Sequence, residues 1–287
     1  MIVFALLLFL QVQQTKSMKF LFWNIHKNVD AIPYLHKIVR EEGIDVVGIA
    51  EFPQEYAIDN VLRGSPMTFS YLKPRVDNEK VKIFYRNSRV QIDNKMNGKF
   101  VVIKQIESLG RMVSLIFCHL PSKINCNDNE QLSRATAINR EINDYEQTNA
   151  KSRLTIVCGD FNMNPFDKGM VHCEGFNAVM DRRIAMKRSR EVLGMDCYFF
   201  YNPMWGCLGD NGKGGIPGTL FYNPSDSIQY FWNMFDQVLI RPELIPFFDD
   251  KSLKIVTTGK SYNLMNNNGR IDNKISDHLP IMFNLNI

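Results

Sequence analysis

The sequence predicts an α/β chain built on two β-sheets, with helices packed outside them. Three observations carry that expectation. Short continuous apolar runs such as "GIDVVGIAE" and "RLTIVCGDF" suit strands covered on both faces. Those runs fall into two groups, interrupted by segments of helical periodicity, which favours two sheets over one. A chain of 287 residues, 45% hydrophobic and 22% charged, is globular and long enough for a sizeable core.

Taken in order, "KFLFWNI" opens the fold as a strand. From about Val29 to Glu42, the residues Ile32, Leu35, Ile38 and Val39 share one helical face. "GIDVVGIAE" follows as a buried strand. "KVKIFYRNS", "GKFVVIKQIES" and "RMVSLIFCHLP" are consecutive strands with turn residues between them. A polar helix is expected from Asn129 to about Ala150, then the strand "RLTIVCGDF". "FWNMFDQVLIRP", "LKIVTTG" and "LPIMFNLNI" complete the strands. No repeat or low-complexity linker divides the chain, so residues 18–287 read as one domain.

Residues 1–17 stand apart. "MIVFALLLFLQ" has the length of a signal-peptide core, but no basic residue precedes it and no small-residue cleavage site follows. Met18 offers a natural start, so residues 1–17 read as an extension, a signal or an anchor, and any membrane association is expected through them alone. Six cysteines form no C-x-x-C pair and no disulfide-scaffold density. That usage fits a reducing, cytoplasmic setting, with secretion or membrane association as the alternative if residues 1–17 act as a signal. The net charge of +4 permits an anionic substrate without announcing a nucleic-acid binder. No obligate protein partner is evident.

Polar groups recur at the ends of the apolar strands, where α/β proteins place their sites. They are Asn24, Glu51, His119, and Asp160 with Asn162; Asp236 lies within a strand, and Asp277-His278 precedes the last one. Each alone is a turn residue or a cap; their repetition is what points to a shared site. Glu51 and Asn24, joined by Asp277, offer the oxygen ligands that hard divalent cations prefer. Histidines beside carboxylates suit proton transfer near neutral pH. With no Cys/His cluster, this set points to Mg²⁺-type phosphate chemistry and away from a zinc hydrolase.

"WNIH", "IAEF", "CHLPS", "GDFNMNP", "FDQVLI" and "SDHLPI" resemble, in order and spacing, the motifs of the endonuclease/exonuclease/phosphatase superfamily. The likeness runs from about Met18 to Ile287. It implies a four-layer αββα sandwich, with two central mixed sheets and the site at one edge of both. It further implies a hydrolase dependent on Mg²⁺ or Mn²⁺. On that resemblance Glu51 is the principal metal ligand with Asn24 beside it, and Asp277 assists at the metal. Asp160 orients or deprotonates the attacking water, or assists the leaving group, and Asn162 holds the scissile phosphate. Asp236 pairs with His278, and His119 is the second histidine, with Glu79 as its expected partner. The chain departs from the abasic-site endonucleases by carrying His26 where they have aspartate and His119 where they tend to have tyrosine. Nuclease, phosphatase and lipid-esterase branches stay open, with a nuclease slightly ahead and an inactive binding module least favoured.

Two segments bear on the substrate. "MDRRIAMKRSREV" concentrates basic residues, and Arg182 and Arg183 are candidate phosphate contacts, or else part of a solvated helix face. "GCLGDNGKGGIPGTLFY", around Lys213, is not a P-loop and reads as a substrate-side loop or a long turn. The aromatics around it could stack on bases or belong to the core.

Overall fold

Seventeen strands and four α-helices follow one another along the described part of the chain. The computed structural model describes residues 17–63, 67–74, 80–97, 101–108, 110–212, 215–223, 225 and 227–287. The first sheet contains β1 (Ser17–Asn24), β2 (Val46–Ala50), β3 (Phe69–Tyr71), β4 (Val81–Arg86), β16 (Phe248–Ile255) and β17 (Ile281–Asn286). Its spatial order is β16-β17-β1-β2-β4-β3, and only β1 and β2 run parallel.

The second sheet contains β5 (Gln91–Asn97), β6 (Val102–Ser108), β7 (Arg111–His119), β8 (Thr155–Asp160), β9 (Ala178–Val179), β12 (Phe200–Tyr201) and β15 (Asp236–Ile240). Its order is β5-β6-β7-β8-β15-β12-β9, with β7 parallel to β8 and β12 parallel to β9. Two hairpins, β10–β11 (Ser189–Val192, Met195–Tyr198) and β13–β14 (Leu220–Phe221, Trp232–Asn233), stand outside both sheets. The expected sandwich of two mixed sheets is therefore present.

Alternation along β7 and β8 shows how the layers form. Leu115, Phe117, Ile156 and Cys158 join the cluster between the sheets, whereas Ile116, Cys118 and Val157 join a second cluster outside them. The helix α2 (Asp128–Tyr145) covers that second cluster with Ala135, Ile138 and Ile142. Its start is fixed by a capping box, in which Asn127 accepts from the Glu130 N–H and Glu130 returns a bond to the Asn127 N–H. The helix α1 (Ala31–Glu42) buries Ile32, Leu35, Ile38 and Val39, the face its periodicity predicts, and ends at Gly43 in the left-handed region. The remaining helices, α3 (Lys168–Val171) and α4 (Arg182–Ala185), are single turns. Among the described residues no helix is long and apolar enough to cross a membrane.

The expected strand "FWNMFDQVLIRP" is two strands, because its middle bonds elsewhere. Met234 N–H donates to Asn164 Oδ1 at 2.8 Å, and the Phe235 carbonyl accepts from Phe161 N–H at 2.8 Å. β5 escaped the sequence reading, since "QIDNKMN" is too polar to announce a strand; its pairing with β6 forms it.

Two glycines permit close approach, one between the sheets and one between neighbouring strands. A Cβ at Gly48 would lie 2.6 Å from the Phe117 ring, which also faces Phe22 at 6.1 Å between the sheets. A Cβ at Gly159 would lie 2.0 Å from the Cys118 carbonyl oxygen, inside the β7–β8 ladder. A side chain can shift and a paired backbone cannot. Gly48→Ala is expected to cost about 1–3 kcal/mol and Gly159→Ala clearly more, read from urea denaturation midpoints. Equal costs would contradict this packing account.

Candidate active site

Strand register assembles one half of the site. His119 pairs with Asp160 across β7–β8, and Asp160 pairs with Asp236 across β8–β15, so three polar residues lie side by side at one sheet edge. The first sheet supplies the other half. Asn24 ends β1, and Glu51 follows β2, where Ala50 pairs with Asn24.

The two halves meet at the Asn24 amide. Its Nδ2 donates to Glu51 Oε1 at 3.2 Å and to Asp160 Oδ2 at 3.0 Å. Its Oδ1 accepts from the His26 N–H at 3.0 Å, and its carbonyl accepts from the Ser276 hydroxyl at 2.8 Å. Ser276 Oγ in turn accepts from the His278 N–H, while Trp23 Nε1 donates to the His278 carbonyl at 2.9 Å. The last loop is thereby fastened to the first strand.

His278 Nδ1 lies 2.7 Å from Asp236 Oδ2, and its Nε2 lies 3.9 Å from Asp160 Oδ2. Burial opposes charge on this imidazole, but Asp236 and Asp160 outweigh it and push the pKa up to about 10. Burial also raises the Asp160 pKa, with His278 pulling the other way and Asp236 adding to the rise. His119 behaves oppositely to His278. Burial lowers its pKa despite Asp160 and Glu51, with Nε2 standing 3.6 Å from Glu51 and 3.8 Å from Asp160. One histidine is thus held charged and the other neutral near pH 7.

The backbone is bent to aim these groups. His26, Lys27, Glu51 and Asn162 all have φ between +47° and +54°, a region that costs most non-glycine residues about 1–2 kcal/mol. Such outliers cluster where a site over-determines the chain. At Asn162 the turn lets its N–H donate to Asp160 Oδ1 at 2.8 Å and its Nδ2 to the Leu120 carbonyl at 2.8 Å.

Two donor sets could hold a cation. Glu51 and Asp277 offer carboxylate oxygens, Asn24 would have to turn its Oδ1 from the His26 N–H to join them, and Asp277 Oδ1 is buried without a hydrogen-bond partner among the described residues. This fits a hard divalent ion. Asp160, Asp236 and His278 also place ligand atoms within 4.8 Å of one another. There, however, the short contact takes up His278 Nδ1 and Asp236 Oδ2, so a metal would be left with Asp236 Oδ1, which has no hydrogen-bond partner among the described residues, and with an Nε2 that must first lose the proton its carboxylate neighbours hold on the ring.

The structure brings together Asn24, Glu51, His119, Asp160, Asn162, Asp236, Asp277 and His278. It does not bring Arg182 or Arg183 to them. Val179 pairs with Tyr201, and Tyr201 with Ile240, at the end of β15 remote from Asp236. Arg182, just beyond β9, pairs with Asp250 there, and Arg183 pairs with Asp181 at 3.4 Å with its side chain 92% exposed. Arg183 therefore lies on a solvated face, and Arg182 is paired with Asp250, both away from the converging carboxylates and histidines. Glu79 and Lys213 lie outside the described residues. Sequence reasoning undervalued His26, whose Nδ1 is 3.3 Å from Asp277 and 4.0 Å from Glu51. It missed Thr219, which accepts the Asp236 N–H at 3.1 Å; a threonine in a glycine-rich segment gives no signal of that role.

A model of the endonuclease/exonuclease/phosphatase family matches residues 21–278. The chain belongs to that family. Its members are metal-dependent phosphoesterases and nucleases, and this chain is an enzyme of that class. Among solved structures it is similar to D. rerio TDP2 complexed with single-strand DNA product, at 18% identity and a TM-score of 0.57, covering 95% of this chain and 100% of that one. It is also similar to the human Nocturnin catalytic domain with bound sulfate, at 14% identity and a TM-score of 0.59, covering 93% of each. A Bacteroides thetaiotaomicron family protein gives 14% identity and a TM-score of 0.58 over 95% of this chain and 98% of that one. At such identities the likeness establishes the fold. No curated protein matches the sequence.

The His278–Asp236 pair makes stability depend on pH with a definite sign. A folded-state pKa of about 10 lies above the unfolded value of 6.5. The contribution is therefore full below pH 6.5 and lost as pH rises through about 10. Asp236→Asn is expected to drop the His278 midpoint by more than about 2 pH units, followed by NMR of the imidazole in metal-free protein. The variant should also lose the alkaline stability slope. A His278 that still titrates near 10 would contradict the pairing.

Proposed function

We propose that the chain is a Mg²⁺- or Mn²⁺-dependent phosphodiesterase acting on nucleic acid. The observation that carries this reading is Asp160. It is buried, bonded to Asn24, and held 3.9 Å from a histidine that Asp236 keeps charged. A carboxylate with a burial-raised pKa accepts a proton from water better than an ordinary one. His278, as imidazolium, donates a hydrogen bond toward negative charge gathering on the phosphate oxygens. Asn162 binds the phosphate through its free amide hydrogen, its other one being held by Leu120. His119, neutral, contributes a further donor beside Glu51.

Glu51, Asn24 and Asp277 are the residues assigned to the cation. When bound, that ion stabilises charge on the phosphoryl oxygens and lowers the pKa of water.

Two clefts bordering the site favour a long anionic substrate. One, of about 690 Å³, adjoins Glu51 and His119; the other, of about 580 Å³, is lined by Phe221, Arg270 and Lys274. The Arg270 guanidinium lies over the Phe221 ring at 4.6 Å. Phe166 and Tyr230, the latter between β13 and β14, form an exposed ring pair with centroids 5.3 Å apart, suited to stacking on bases. The D. rerio TDP2 neighbour, complexed with single-strand DNA product, supports that reading.

A lipid-borne phosphate is the second reading. It is favoured by Ile228, Tyr230 and Phe231, which are 76%, 56% and 48% exposed on the hairpin between β13 and β14.

Plasmid DNA, single-strand DNA and phosphoinositide vesicles, each offered with Mg²⁺ or Mn²⁺ and with EDTA, separate these readings. Metal-dependent cleavage of nucleic acid is expected. Asp160→Asn and His278→Ala should each reduce turnover by about 10²–10⁴-fold while melting as folded proteins. Release of phosphate from vesicles alone would replace the nucleic-acid reading with the lipid one. Near-normal turnover in either variant would refute the roles assigned.

A further inference from the structure

The register that delivers Glu51 to the site also delivers lysines. Ile49 pairs with Lys82 and Ala50 with Val81, so Lys80 and Glu51 leave neighbouring strands together, one step beyond the ladder. The charge of Lys80 reaches His119, where it disfavours the imidazolium. Lys27 arrives from the strand on the other side, its backbone N–H bonded to the Glu51 carbonyl at 2.8 Å.

All three lysines line the 690 Å³ cleft that takes in Glu51 and His119. Among the described residues Glu51 is the only carboxylate lining it, and none of the three ammonium groups has an ion-pair partner. Lys82 is half-buried. Lys27 and Lys80 are exposed, and an anion bound among the three cations would offset their mutual repulsion. The same cleft carries Phe52 and Tyr56, whose rings meet edge-on at 6.4 Å. Cations together with ring faces suit a phosphate that bears a planar base.

We propose that this cleft is a subsite for a second phosphate-bearing nucleotide unit, next to the one whose phosphate is cleaved. Lys27, Lys80 and Lys82 surround its phosphate, and Phe52 or Tyr56 lies against its base. The enzyme therefore prefers substrates with a phosphate adjacent to the scissile one. The inference rests on the phosphodiesterase reading for what is cleaved, but it concerns binding.

The test measures binding to Asp160→Asn protein in Mg²⁺, so it needs no turnover. The probes are the thymidine dinucleotide dTpdT, its 5′-phosphorylated form, its 3′-phosphorylated form, and inorganic pyrophosphate. One phosphorylated dinucleotide is expected to bind about 10-fold tighter than dTpdT, the yield of one good charge-assisted contact. Adding Lys80→Gln and Lys82→Gln should cut that ratio below about 3-fold, with Lys82→Arg retaining it. A ratio below about 3-fold for both phosphorylated forms, or one indifferent to the lysine changes, overturns the subsite. Pyrophosphate binding as tightly as the phosphorylated dinucleotide overturns the role given to the rings. Wild-type cleavage of nucleic acid without the binding ratio would sink the subsite alone. The ratio without any cleavage would sink the catalytic reading alone.

Discussion

Asn24 is the constraint on which the rest of the site depends. Its amide donates to Glu51 on the first sheet and Asp160 on the second, so one side chain sets the distance between the sheet edges. Hydrogen bonds to charged groups contribute roughly 1.5–3 kcal/mol each, and the penalty for leaving the buried Asp160 unsatisfied is of similar size. The sheets can approach closely enough only because Gly48 carries no side chain where the Phe117 ring stands, while Gly159 lets β7 and β8 pair tightly within the second sheet. Packing between the sheets and geometry at their edge are therefore one problem with one solution.

The electrostatics of the site follow from that closure. Four carboxylates and three histidines converge, from the exposed His26 to the buried Asp160, Asp236 and His278, and burial and pairing compete at Asp160, His119 and His278. Pairing wins at His278, which has two carboxylates against it; burial wins at His119 and Asp160. The proposed division of labour uses this contrast. Glu51, after β2 of the first sheet, holds the cation, and Asp160 and Asp236 of the second sheet, with His278 from the loop before β17, handle protons. The lysines beside Glu51 extend positive charge away from the reacting phosphate without entering the proton-handling half.

Much of this was legible in the sequence because the strands are apolar runs that end in polar residues. A carboxylate after "VVGIA" or "TIVCG" is by itself an ordinary turn residue or cap, and its repetition from strand to strand carried the signal. The pairing of Asp236 with His278 was also legible, through the family motifs. What stayed hidden depends on partners distant in sequence. The strand β5 is polar and exists by pairing with β6. Arg182 and Arg183 looked like a phosphate-binding cluster, yet the β9–β12–β15 register carries them to the opposite end of the sheet. Lys80 and Lys82 attracted no notice, since a lysine beside a strand is ordinary until the register places it beside Glu51. His26 was read as a departure from one branch of the family, and only the fold shows it against Asp277.

Titration of Mn²⁺ into the wild type, Glu51→Gln and Asp236→Asn tests the division of labour most directly. If the cation belongs to the first sheet, Glu51→Gln loses binding by about 10-fold or more, and Asp236→Asn retains it within about 3-fold. Loss of Mn²⁺ in Asp236→Asn with binding kept in Glu51→Gln would place the ion among Asp160, Asp236 and His278 and contradict the account.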